Sequence, residues 1–359
     1  MQSFERWTML AAAACLFSPP AYTQDMMRHV DLSSPLFSSA GMTRAEVEAS
    51  LKAAPAGVDF SGKSLNGLDL SGLDFSNVNF RAARMNKTNF SRARLDGAVL
   101  DQVWAMAADF SGASLKKANL FASQMQEAKC DGADFSGARV AADLSRASLC
   151  NAKFTGADLS GKSLNGLDLS GLDFSNVNFR AARMNKTNFS RARLDGAVLD
   201  QVWAMAADFS GASLKKANLF ASQMQEAKCD GADFSGARVA ADLSRASLRN
   251  AKFIGADLAA DMRNQSMGLM RAVLKSADLT GADFENANLA FTDLQFAKFS
   301  GANLKGASLA EAEAGGADFR RANLDHTNFN GTDMTSARID AAQERAISGA
   351  KNLDRAFKE

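Results

Sequence analysis

The segment Ala108-Asp109-Phe110-Ser111-Gly112-Ala113-Ser114-Leu115-Lys116-Lys117-Ala118-Asn119-Leu120 carries a large apolar residue at every fifth position, with an alanine two positions before each. Followed in both directions, the frame runs Phe60, Leu65, Leu70, Phe75, Phe80, Met85, Phe90, Leu95, Leu100, Ala105, Phe110, Leu115, Leu120, Met125, Cys130, Phe135 and Val140 without a polar residue. The chain is 47% apolar, so seventeen such positions in a row would arise by chance roughly a few times in a million and must be counted as signal. Neither a helix, at 3.6 residues per turn, nor a strand, at 2.0, has this period. In a helix each step of five would rotate the apolar stripe by about 140°. Short straight segments joined by tight corners can turn one residue inward every five, and coils of them can stack and share backbone hydrogen bonds around one buried column.

Ala108-Asp109-Phe110-Ser111-Gly112, Ala133-Asp134-Phe135-Ser136-Gly137 and Ala287-Asn288-Leu289 resemble the A-[D/N]-[L/F]-x-x consensus of the pentapeptide-repeat family, and the resemblance covers residues 58–340. It implies an all-β solenoid, a right-handed quadrilateral β-helix with four pentads, or twenty residues, per coil. Its inward Leu/Phe is the residue found here at every fifth position. It implies no single function: members include DNA-mimicking topoisomerase-binding proteins, secreted effectors and many proteins of unknown role.

Residues 61–159 recur as 160–258 at an offset of 99, differing only at Cys150 against Arg249 and Thr155 against Ile254. Ninety-nine is one short of five 20-residue coils. The missing residue lies between Val140 and Leu144, and again between Val239 and Leu243, where one corner is tightened. The frame lapses over 259–273, read as a bulge or short loop because Leu258 to Leu274 is sixteen residues, and resumes through Ile339. Both ends look capped. Thr43-Arg44-Ala45-Glu46 is a capping box opening a short helix within the 24–57 segment, and 341–359 forms a C-terminal cap with a helical start.

Arg6, the apolar run Trp7–Phe17 and the helix-breaking Ser18-Pro19-Pro20-Ala21 read as a secretory signal over residues 1–23. The expected location is therefore exported, periplasmic or secreted; a mildly apolar tail on a cytoplasmic protein is the other reading. No stretch is long and apolar enough for a transmembrane helix. The 41 Lys+Arg against 40 Asp+Glu give a net charge of +1, which supplies no field to draw nucleic acid or an anionic membrane. Of four cysteines, Cys15 falls in the signal. Cys130 and Cys229 fall in the column about 24 Å apart, five coils at the ~4.8 Å strand spacing, too far for a disulfide. Cys150 should point outward.

Gly57-Val58-Asp59-Phe60-Ser61-Gly62-Lys63-Ser64 matches the phosphate-binding pattern G-x-x-x-x-G-K-S, and Gly156 to Ser163 matches again. A working phosphate loop must open a helix. Here Phe60 and Leu159 are column residues and the five-residue frame continues, so no nucleotide is expected. His29 and His326 are the only histidines, so no His-based triad or His-rich metal site is expected; nothing selects a carboxylate pair, and no metal or cofactor is expected. Arg81, Arg84, Lys87, Arg92 and Arg94, repeated as Arg180, Arg183, Lys186, Arg191 and Arg193, lie off the column. They form either an anion-binding face, as two patches about 24 Å apart along one side, or a solvated surface balanced by Asp69, Asp74, Asp96 and Asp101. Trp104 and Trp203 sit at outward positions, as contact anchors or lying over small neighbours. The leading functional reading is a non-catalytic structural or binding scaffold of the bacterial cell envelope, with an unknown protein or acidic polymer as partner. The alternatives are a DNA-mimicking topoisomerase binder, which needs a strongly acidic rod, and a carbohydrate-active enzyme on a β-helix platform. The oligomeric state is left open.

Overall fold

Most pentads close in the same way. The carbonyl of the column residue accepts the amide three positions on, as in Ala83 N–H to Phe80 O at 2.8 Å and Ala113 N–H to Phe110 O at 2.9 Å. The second corner residue has positive φ, whether glycine (Gly112, 65°) or not (Lys87, 56°). The polar residue before the column residue has a local role. The carboxylate of Asp109 accepts the amide of Ser111 at 2.9 Å, and Asn79 does the same for Arg81 at 3.0 Å. This is why Asp and Asn recur there.

The computed structural model describes residues 34, 38–54, 57–144, 146–260 and 271–359. The signal reading over 1–23, with Cys15, and His29 lie outside them. Four pentads make a coil, and each coil pairs in parallel with the next twenty residues along, as in Ser64↔Arg84↔Trp104↔Gln124. The first face is centred on Phe60, Phe80 and Leu100, the second on Leu65, Met85 and Ala105, the third on Leu70, Phe90 and Phe110, and the fourth on Phe75, Leu95 and Leu115. All of these are buried. The fold is the right-handed quadrilateral β-helix. Phenylalanines stack along the axis at near the coil spacing: Phe90 on Phe110 at 5.3 Å, Phe253 on Phe284 at 4.6 Å. A tyrosine hydroxyl there would find no partner, which accounts for 25 Phe against one Tyr. The few inward hydroxyls donate to backbone carbonyls, Thr88 to Leu65 O at 2.7 Å and Ser123 to Leu100 O at 2.6 Å.

The tightened corners are where the spacing placed them, since Gln124 pairs with Asp143 and Gln223 with Asp242, nineteen residues apart. Across the lapse at 259–273 the ladder advances by a single face. Asp257 and Val273 occupy consecutive faces, because Asp242 pairs with Val273 and Asp257 with Asn288. Sixteen residues thus replace one five-residue step, rather than spanning three pentads and a bulge. Residues 261–270 lie outside the described residues.

Helix α1 (Arg44–Ala53) covers the N-terminal coil. Its capping box is formed, Val47 is buried, and Met42 and Leu51 join Leu68 and Leu73 in the apolar cluster. Gly41 N–H donates to Ser64 O at 2.8 Å, and Arg44 Nη1 to Asp69 O at 2.9 Å. At the other end strands β1 (Arg338–Ile339) and β2 (Phe357–Lys358) pair in parallel around a 3-10 helix, Ala341–Ile347. Gln343 Nε2 donates to Ala322 O and Phe319 O, giving the Ala322 carbonyl the partner another coil would supply.

The junction between the two copies is a seam. Among the described residues the bridges expected for Asp143 with Ser163 and Ser148 with Asp168 are missing, and Phe154 N–H reaches Asp173 O only at 3.4 Å. The next position along, Leu159 N–H to Asn178 O, is back to 2.8 Å. The three weakened positions are those where the inward alanine slot holds Lys162, Leu167 or Leu172. The second copy supplies the control. Coil 240–258 is nearly identical to coil 141–159, but is followed by Ala272, Ala277 and Ala282 in those slots. There Leu243, Leu248 and Phe253 donate to Val273, Asp278 and Asp283 at 2.7–2.8 Å. Large side chains in the small slot hold the coils apart. In the first copy Lys63, Leu68 and Leu73 fill the same slots, and there the preceding element is α1, not a coil.

Candidate functional site

The twenty-residue register decides where the basic residues go. Arg81 stands at the corner before the second face, Arg84 on it and Lys87 at the corner after it. Arg92 follows the third face and Arg94 lies on the fourth, since Arg84 pairs with Ser64 and Trp104 but Arg94 with Asp74 and Ser114. The five residues therefore wind around most of a coil and do not make one patch along one side. A cluster in sequence is dispersed because each pentad turns the chain through a corner. The second set returns to the same faces five coils on, with Arg183 between Ser163 and Trp203, and Arg193 between Asp173 and Ser213.

This division separates paired from unpaired cations. Arg94 meets Asp96 at 3.2 Å and Asp74 at 3.5 Å, and Arg193 meets Asp195 at 3.0 Å and Asp173 at 3.9 Å. The hydrogen bond to Asp195, with the charges of Asp173 and Asp195, holds Arg193 more firmly protonated than usual. Among the described residues, Arg81, Arg84, Lys87, Arg180, Arg183 and Lys186 make no ion pair. Arg84 Nε and the Oδ1 atoms of Asp101 and Asp200 are buried without hydrogen-bond partners. Burial raises the Asp200 carboxyl above its ordinary value, offset in part by Arg180.

The tryptophans belong to the same face. Trp104 follows Arg84 on the ladder and Gln124 follows Trp104; Arg183, Trp203 and Gln223 repeat the order. Trp203 is 52% exposed and Met205 beside it 43%, whereas Trp104 is half-buried. The glutamines are fixed: Gln126 Nε2 donates to Gln124 Oε1 at 2.7 Å and Asp143 Oδ2 at 2.8 Å, and Gln225 does the same for Gln223 and Asp242, both at 2.7 Å. Sequence reading missed these amides, although counting in steps of twenty would have placed them beside the tryptophans. It also missed Phe121, over which Arg139 and Lys162 lie at 4.8 and 5.9 Å. Burial, then the nearby Arg139 charge, lowers the Lys162 pKa.

Gly57–Ser64 and Gly156–Ser163 are solenoid wall, with Phe60 and Leu159 buried and Asp59, Ser64, Asp158 and Ser163 all on the ladder, so the phosphate-loop pattern is coincidental. Cys130 and Cys229 are buried in one column and Cys150 is exposed. Burial, then the adjacent Asp131 and Asp230 respectively, pushes the two buried thiols far up. His326 is exposed at a corner. Among the described residues no group of His, Cys, Asp and Glu could hold a metal ion, and no helix is long and apolar enough to cross a membrane.

The model of the pentapeptide repeats matches eight stretches between residues 64 and 339, covering most of the chain. The chain belongs to the pentapeptide-repeat family. Members of this family are in general non-enzymatic structural or binding scaffolds. HetL, a pentapeptide repeat protein involved in heterocyst differentiation regulation from the cyanobacterium Nostoc sp. Strain PCC 7120, is 21% identical over 81% of this chain and 96% of its own, with a TM-score of 0.23. QnrB1, a plasmid-mediated fluoroquinolone resistance protein, is 18% identical over 54% of this chain and 92% of its own, with a TM-score of 0.27. A pentapeptide repeat protein from the Arabidopsis thaliana thylakoid lumen is 29% identical over 35% of this chain and 66% of its own, with a TM-score of 0.18. No curated protein matches the chain significantly. The fold assignment rests on the ladder and the family match.

Proposed function

We propose that this pentapeptide-repeat protein is a non-catalytic scaffold of the bacterial cell envelope that holds an acidic partner on the second face of its solenoid. The carrying observation is the split among its cations. Arg94 and Arg193 are consumed by Asp74, Asp96, Asp173 and Asp195, while Arg81, Arg84, Lys87 and their repeats make no ion pair among the described residues. Unpaired charge beside an exposed tryptophan is chemistry a binding face uses. The signal-like start supports export. The outer positions of the fourth face interleave both signs, Asp74, Arg94, Ser114, Asp134 and Lys153, which does not make the continuous acidic rod a DNA mimic needs.

Expression of the full chain with a C-terminal tag in a Gram-negative host tests both halves. The tagged protein is expected in the osmotic-shock fraction, with a mass lacking residues 1–23, and retained on an anionic but not a cationic matrix at low salt. A cytoplasmic chain of full mass would refute the envelope role. Loss of retention with equal sensitivity for Arg94→Gln/Arg193→Gln and Arg84→Gln/Arg183→Gln would refute the face.

A further inference from the structure

The second face carries one motif twice. Its outer residues run Ser64, Arg84, Trp104, Gln124 and Asp143 on one stretch of ladder and, past the seam where the bridge is missing, Ser163, Arg183, Trp203, Gln223 and Asp242 on the next. Neighbours along such a ladder stand ~4.8 Å apart and equivalent residues of the two copies about 24 Å apart. We propose that these are two repeated subsites, the second with the more open tryptophan, for one linear acidic polysaccharide lying along the solenoid axis. Arg84 and Arg183 meet its carboxylates, Trp104 and Trp203 the apolar faces of its sugar rings, and Gln124 and Gln223 its hydroxyls. This rests on the reading of the second face as an anion-binding surface and adds the class of partner.

Three features select the polymer. The subsites are related by translation along one face with the same polarity, so a partner that fills both must itself repeat by translation, which a globular acidic protein does not. The residues offered are flat, a planar ring, a planar guanidinium and a planar amide held in place by Gln126 or Gln225, and the seam between Asp143 and Ser163 separates one set from the other. A pyranose ring has a matching apolar face and hydroxyl rim. Finally, each period holds one arginine and one aspartate on the ladder, so Asp143 and Asp242 would repel a chain charged at every unit. A single nucleic acid strand carries a phosphate on every nucleotide, and a duplex returns a groove only every 34–36 Å. A polysaccharide with an uncharged sugar between its carboxylates can set a neutral unit over Asp143.

Titration of the full chain with hyaluronan, polygalacturonate, poly-glutamate and oligo(dT), followed by tryptophan fluorescence, tests this. Hyaluronan, whose charge alternates with a neutral sugar, should bind tightest. Arg84→Gln or Arg183→Gln alone should weaken it about tenfold or more and leave the remaining subsite's affinity, with Arg84→Gln/Arg183→Gln removing binding, because linked subsites multiply by roughly 10²–10⁴. Trp203→Phe should bind within about threefold of wild type and Trp203→Ala should not, since the planar face is what is read. Arg94→Gln/Arg193→Gln should bind as wild type. Stronger binding of poly-glutamate or oligo(dT) overturns the sugar assignment while sparing the anion-binding face. Single variants that match wild type overturn the twin subsites. Failure of all four polymers to bind sinks the face reading as well.

Discussion

At the scale of the residue, the pentad divides labour so sharply that substitutions at neighbouring positions should differ severalfold in effect. Phe284 is buried and stacks on Phe253 at 4.6 Å with planes 1° apart. Phe284→Ala should cost about 3–5 kcal/mol in urea denaturation, because coils pinned above and below cannot collapse into the space. A cost under about 1 kcal/mol would mean a loosely filled column. At the C-terminal end the Asp318 carboxyl is lowered to about 2, chiefly by its hydrogen bond from Arg320, which also holds Glu359 at 2.6 Å. A depressed carboxyl contributes stability that is complete above its ordinary value of 3.8 and is lost as pH falls through about 2. Amides in 341–359 should therefore exchange faster as pH falls over that window, after correction for intrinsic rates. Asp318→Asn should abolish this pH dependence and loosen the same amides at neutral pH. An unchanged profile in that variant would show that the clamp adds nothing to the cap.

At the scale of the element, the seam follows from slot volume. Lys162, Leu167 and Leu172 stand where Ala272, Ala277 and Ala282 stand in the equivalent, well-bonded junction. Each lost backbone bond is worth about 0.5–1.5 kcal/mol net, so the seam should open before any other coil junction. The amides of Leu144 and Leu149 should exchange at least tenfold faster than those of Leu243 and Leu248. Lys162→Ala/Leu167→Ala/Leu172→Ala should close the gap and bring the two pairs together. If Leu144 stays as fast in the triple variant, slot volume is not the cause. Sequence reading found the five-residue frame and both tightened corners but passed over this seam. Leucine is an acceptable apolar residue in a list, and its size matters only once another coil is known to lie against it.

For the whole molecule, the duplication moved an end coil into the middle of a rod. Leu68 and Leu73 meet the cap helix side of the solenoid, and Leu167 and Leu172 present the same surface to a coil. Deleting 61–159 joins Phe60 to Ser160 in frame and returns α1 to a coil with the residues it covers now. Since solenoid stability is close to a sum of coil and interface terms, the shortened chain should fold cooperatively, five coils shorter and without the seam. Its thermal midpoint by circular dichroism should fall by only a few degrees. A broad, non-cooperative melt would mean that the two copies depend on each other. The ten basic residues show the reverse lesson. Fourteen positions of sequence looked like one patch, and only the corner count sends Arg94 to Asp74 on the fourth face while leaving Arg84 beside Trp104.

The repeat period, the column, the duplication and both caps were legible in the amino-acid order, because each is a local or strictly periodic consequence of side-chain size and polarity. Phe110 must be inside wherever the coil goes, and Thr43 caps α1 through residues three positions away. What required the tertiary structure were relations between residues twenty or more positions apart: which cations find carboxylates, which glutamine stands beside Trp203, that the ladder advances by a single face from Leu258 to Leu274, and that Leu167 has a coil rather than a helix over it. Those depend on what stacks on what, and a pattern that repeats every five residues is nearly the same on every face. It determines that a residue points out, and leaves its neighbours to the winding of the coil.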